Sequence, residues 1–97
     1  MEHRHGARHN ALALADIRCR NGQRTGLVYN ISNDGMFVLT EEPDEVTGGV
    51  ELYITSDGEG RAVRIPGLVV HNNNNGFGMI FRELDDAART LVDRYLA

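Results

Sequence analysis

Turn-forming residues recur so closely along this chain that long helices have no room before its C-terminal segment. Asn21-Gly22, Ser32-Asn33-Asp34-Gly35, Ser56-Asp57-Gly58-Glu59-Gly60 and the run from Asn72 to Gly76 are rich in residues that accept or stabilise tight turns. The runs between them alternate. Over residues 11–20, Ala13, Ala15, Ile17 and Cys19 face one way while Leu14, Asp16, Arg18 and Arg20 face the other, the pattern of a strand with one buried side. Further strands are predicted over 23–31, 36–40, 50–54, 62–71 and 77–81, with a bulge or bend at Pro66-Gly67. In the second of the six, Leu27, Tyr29 and Ile31 should be buried, with Val28, Asn30 and Ser32 on the opposite face.

The period then changes. Leu84, Ala88, Leu91, Val92, Tyr95 and Leu96 recur at three- and four-residue spacing behind Asp85, a suitable N-cap, which predicts one amphipathic helix over 85–96. Six antiparallel strands of these lengths hide their edges by closing into a barrel, with the helix over one opening. The fold class is mainly β, a six-stranded antiparallel β-barrel with a C-terminal α-helix. Residues 1–10 lack apolar periodicity and form an arm, and residues 11–82 form the barrel.

At 97 residues the chain holds one domain. No run approaches the roughly eighteen apolar residues of a membrane span, and the polar N-terminus has no signal-peptide core, so a cytoplasmic protein is expected. The single cysteine, Cys19, excludes an internal disulfide and a cysteine-based zinc site. Every Lys-or-Arg position is Arg. Residues 1–24 carry five Arg against Glu2 and Asp16, whereas the remainder carries five Arg against twelve carboxylates. An acidic domain with one basic end suits a small anionic ligand better than a long nucleic acid, which demands an extended basic surface. The acidic loop Glu41-Glu42-Pro43-Asp44-Glu45 reads as solvated surface.

Two short motifs carry the chemistry. Arg4 and Arg8 stand four apart in the arm and can reach one ligand from adjoining sides, where guanidinium groups fork onto phosphate or guanine edges. Asn30-x-Ser32-x-x-Gly35 places a carboxamide and a hydroxyl on one strand face, followed by a glycine that permits positive φ or a close ligand approach. Taken singly, each motif is weak: the first could be solvated surface and the second a side-chain-stabilised turn.

Their joint appearance, in this order, around a β-rich chain with a helical end, resembles the PilZ domain family. That family's signatures are RxxxR near the start and (D/N)xSxxG after the second core strand. The similarity extends through Gly35-Met36-Phe37-Val38-Leu39-Thr40, Gly67-Leu68-Val69-Val70 and Gly76-Phe77-Gly78-Met79-Ile80-Phe81. The resemblance implies a six-stranded split barrel with a C-terminal helix and a bacterial second messenger, cyclic di-GMP, as ligand. It implies that Arg4 and Arg8 grip phosphates and guanines while Asn30, Ser32 and Gly35 line the other side. His3, His5, His9, Asn33 and Asp34 are secondary candidates. No cofactor is expected beyond the ligand itself. The arm should order over the ligand and present a new surface to an effector protein acting in trans.

Other readings compete with this one. A PilZ-like module could act through protein contacts without nucleotide. A small barrel could bind single-stranded nucleic acid, although that requires aromatic platforms on a basic face, and the aromatics here fall mostly at expected core positions. The spacing of His3, His5 and His9 invites a metal, but no carboxylate or cysteine completes a set. No nucleophile–base or paired-carboxylate constellation points to an enzyme.

Overall fold

The computed structural model describes residues 9–55 and 60–96, with side chains from residue 13 onward. Arg4, Arg8, His3 and His5, and the turn residues Ser56 to Glu59, lie outside the described residues. The chain runs β1 (His9–Cys19), β2 (Gly22–Ile31), β3 (Gly35–Leu39), a single 3-10 turn (Pro43–Glu45), β4 (Gly49–Thr55), β5 (Ala62–Asn72), β6 (Gly76–Phe81) and α1 (Asp86–Leu96). All neighbouring strands are antiparallel, and they close into a barrel in the order β1-β2-β3-β6-β5-β4. Closure leaves no free sheet edge, which is how six short strands with one apolar face become stable.

Inside, Ile17, Val28, Ile31, Val38, Leu52, Ile54, Ile65 and Phe77 are fully buried. The helix adds Ala88, Leu91 and Val92 to this core and packs against β5, β1 and β2. Asp85 caps it: its carboxylate accepts from the Ala88 N–H at 2.9 Å, and its carbonyl accepts the first helical bond from Arg89.

The register is irregular at three places, between Asn10 and Ala13 on β1, at Tyr29 on β2 and at Val70 on β5. Val28 pairs with Val38 and Asn30 with Phe37, so Tyr29 is one residue too many against β3. The extra residue reverses the parity of the strand. Val28, expected outside, is fully buried, and Tyr29, expected inside, is 43% exposed. Downstream of the bulge Ile31 is buried and Asn30 lies outside, as expected. The irregularity in β5 falls at Val70, between Val69 and His71, while the register runs unbroken through Pro66 and Gly67. The turns also differ in detail. Gly22 alone takes positive φ in the first hairpin. The Asn-rich turn has none; there the Asn73 carboxamide oxygen accepts from the N–H groups of Asn75 and Gly76.

Candidate functional site

The outward residues near the bulges form two rows that cross the barrel wall. Asn30 on β2 is the register partner of Phe37 on β3, which faces Gly78 on β6, which faces His71 on β5. One step along, Gly35 faces Ile80, and Ile80 faces Leu68. All of these but Leu68, with the turn between β2 and β3, line a shallow depression of about 210 Å³. Asn30, Ser32, Asp34 and Gly35 line it together with Phe37, Val70, His71 and Ile80.

Gly78 explains the shape of this surface. A Cβ there would come within 2.8 Å of His71 Cε1 and Nε2, so only a glycine lets the imidazole lie across β6. Lying there, the ring approaches Phe37 with centroids 5.9 Å apart and planes tilted by 45°. The two rings form a partly exposed aromatic floor within the wall.

The turn itself is tightly built. The Ser32 N–H donates to the Gly35 carbonyl at 2.8 Å, the Ser32 hydroxyl donates to the same oxygen at 3.3 Å, and that hydroxyl accepts from the Asp34 N–H at 3.3 Å. The Asp34 carbonyl in turn accepts from the Phe81 N–H at 2.8 Å, tying the turn to β6. Gly35 does not take positive φ. Its lack of a side chain answers a different need: a Cβ would fall onto the Met79 carbonyl oxygen and lie 3.1 Å from Ile80 Cα. By contrast, the Asn30 carboxamide has no hydrogen-bond partner among the described residues. Asn33 and Asp34 are exposed, and Asp34 reaches the edge of the depression. The backbone of His9 pairs with Ile31 and that of Asn10 with Asn30, so β1 begins beside this site.

Phe37 and His71 are the site residues that sequence reasoning passed over. Phe37, like most of the aromatics, falls at an expected core position in the sequence, yet Phe77 is the one fully buried aromatic side chain among the described residues. The signal that could have found His71 is its place before the Asn-rich turn, opposite the glycine of Gly76-Phe77-Gly78.

A larger depression of about 490 Å³ lies on the β1-β4-β5 face, lined in part by Arg18, Glu51, Arg64 and Arg82. Its central carboxylate is already engaged. Glu51 accepts from Arg64 Nε at 2.9 Å and from the Tyr53 hydroxyl at 3.1 Å, and these bonds, Arg64's first, hold its carboxyl below the usual range. Arg18 stacks over the Tyr53 ring with its guanidinium carbon 4.4 Å from the centroid. No group of three or more metal-ligating side chains is found among the described residues.

The protein is thus a closed six-stranded barrel with a C-terminal helix, carrying a polar turn beside an aromatic floor. The sequence matches the model of the PilZ domain over residues 2–97, and the chain belongs to the PilZ domain family, a family of regulatory receptor domains for cyclic di-GMP. Its fold is similar to that of the Bacillus subtilis inhibitor of motility MotI/DgrA, with a TM-score of 0.71 and 17% identity over 98% of this chain and 49% of that one. The chain therefore spans about half of MotI/DgrA. It is also similar to the PilZ domain of CeSA from a cellulose-synthesizing bacterium, with a TM-score of 0.67 and 20% identity over 91% of this chain and 92% of that one. None of the curated proteins compared matches it by sequence. No helix among the described residues is long and apolar enough to cross a membrane.

Proposed function

We propose that this chain is a cyclic di-GMP receptor that works by binding, with no chemistry on the ligand, and signals to an effector protein in the cytoplasm. One observation carries the reading: the carboxamide of Asn30, without a hydrogen-bond partner among the described residues, and the polar turn at Ser32 share a depression with a partly exposed aromatic floor, beside the point where β1 begins. Covalent continuity keeps Arg8 one Cα–Cα step, about 3.8 Å, from His9, and Arg4 within about 19 Å of it. Both guanidinium groups can therefore serve this site.

At about 210 Å³ the depression is smaller than the roughly 300–1,000 Å³ of ordinary small-molecule pockets. The described residues supply one wall, and the arm bearing Arg4 and Arg8 supplies the other. Guanine can lie against the rings of Phe37 and His71 with its edge toward Asn30. The phosphates take the arginines. His3 and His5 from the arm, His9 at the start of β1, and Asn33 and Asp34 from the turn are secondary contacts. Arm closure is the two-state element through which ligand and effector are coupled.

The proposal is tested by calorimetric titration of the chain with cyclic di-GMP beside Arg4→Ala, Arg8→Ala and Asn30→Ala. Heat is expected from the native chain and weakened binding from each variant. An absence of heat with the native chain, or undiminished affinity in both arginine variants, would leave the chain as a PilZ module that acts through protein contacts alone. The outward placement of Tyr29 and Phe37 removes one objection to single-stranded nucleic acid, but the net charge of −4 still opposes it.

A further inference from the structure

A third outward row crosses the barrel wall on the far side of the Tyr29 bulge. Leu14 on β1 is the register partner of Leu27 on β2, which faces Leu39 on β3. These leucines point away from the core, and Leu14 is 76% exposed although an apolar side chain gains nothing from water there. The row lines a groove of about 520 Å³ that Arg24, Glu41 and Glu42 also line.

The acidic loop is fixed in place. Arg24 donates to the Glu42 carbonyl at 3.2 Å and to the Glu45 carboxylate at 3.2 Å. Asn21 donates to the Glu45 carbonyl at 2.7 Å, and Asn72 to the carbonyls of Pro43 at 2.7 Å and Val46 at 3.0 Å. Pro43 and Val46 are buried beneath. Glu42 is held at φ 53, a left-handed backbone that costs a non-glycine residue energy. Three side chains thus clamp the backbone of a loop whose Glu41, Glu42, Asp44 and Glu45 stay exposed.

We infer that this groove docks an amphipathic helix with a basic flank, contributed by a partner protein. Leucines on adjacent strands repeat every 4.7–4.9 Å or so, close to the roughly 5–6 Å between apolar anchors three or four residues apart on a helix. A helix laid across β1, β2 and β3 meets Leu14, Leu27 and Leu39 in turn, and the loop that follows Leu39 sets the carboxylates of Glu41 and Glu42 along its flank. Those carboxylates select Lys or Arg and repel an acidic helix or an anionic lipid surface. Phe37 lies two residues before Leu39 on the same face, so the groove adjoins the aromatic depression. The inference stands on the leucine row and the clamped loop, and does not depend on the nucleotide reading.

The test is fluorescence anisotropy of the full chain, with no nucleotide added. The probe is a labelled helical peptide of about 18 residues, with Leu on one face and Lys on the other. A second peptide carries Glu in place of Lys. The native chain should bind the Lys peptide at least about tenfold more tightly than the Glu peptide, with affinity falling as salt rises. Leu14→Asp, at an exposed position, should weaken the Lys peptide by about tenfold or more. Glu41→Lys combined with Glu42→Lys should reverse the preference. Equal binding of the two peptides, no binding of the Lys peptide, or no effect of Leu14→Asp overturns the inference. So does sedimentation showing a native dimer that Leu14→Asp converts to monomer, because the groove would then belong to a second copy of this chain.

Discussion

Gly35→Ala separates two explanations of a glycine that stands in the family's motif. If the glycine serves the fold, a Cβ must push β3 away from β6, because it would fall onto the Met79 carbonyl oxygen and lie 3.0 Å from the carbonyl carbon. Both obstacles are backbone in a closed barrel, so neither can swing aside as a side chain would. Overpacking of this kind costs about 1–3 kcal/mol. The strand shift also strains the bond from Phe81 N–H to the Asp34 carbonyl, whose loss is worth about 0.5–1.5 kcal/mol. A total near 2–4 kcal/mol corresponds to a fall in Tm of at least about 8 °C for a domain of this size. Thermal denaturation followed by circular dichroism, beside a titration with cyclic di-GMP, reads both effects. The expected result is a large loss of Tm, with any loss of binding following from it. An unchanged Tm with abolished binding would refute the packing argument and make Gly35 a point of close ligand approach.

Asn30→Ala should do the opposite. Its carboxamide has no partner among the described residues, so Tm should move by less than the equivalent of about 0.5 kcal/mol while nucleotide affinity in the titration falls. Asp85→Ala removes the acceptor for the Ala88 N–H and should cost about 1 kcal/mol, read as a shift in the urea midpoint with an unchanged m-value. The Glu51 carboxyl is held below its ordinary range by the hydrogen bonds from Arg64 and Tyr53. Its contribution to stability is therefore present above the unfolded-state pKa and is lost as pH falls through the lower folded value. Glu51→Gln should remove that part of the acid slope in denaturation measured between about pH 6 and pH 2, and an identical slope in both proteins would show that the pair contributes nothing.

Element existence was written in the spacing of turns and apolar residues. Asn21-Gly22, Ser32 to Gly35 and Asn72 to Gly76 interrupt the chain where hairpins fall, and the change to helical spacing after Leu84 marks α1 with its Asp85 cap. Such signals are local, carried by residues a few positions apart. The motif Asn30-x-Ser32-x-x-Gly35 was legible for the same reason, and the match to the PilZ model over residues 2–97 gives the family.

Packing decided the rest. Tyr29 looks like a core residue by alternation, and only the one-residue mismatch against β3 turns it outward and brings Val28 in. Phe37, Gly78 and His71 are distant in sequence and become one surface because β3, β6 and β5 lie side by side. The leucine row arises in the same way from β1, β2 and β3. Hydrophobic period and turn chemistry act over short range, so they mark in the sequence which segments are strands and where the helix begins. Which outward residues become neighbours depends on strand order, register and the bulges, and those are set by how the closed barrel shares its hydrogen bonds.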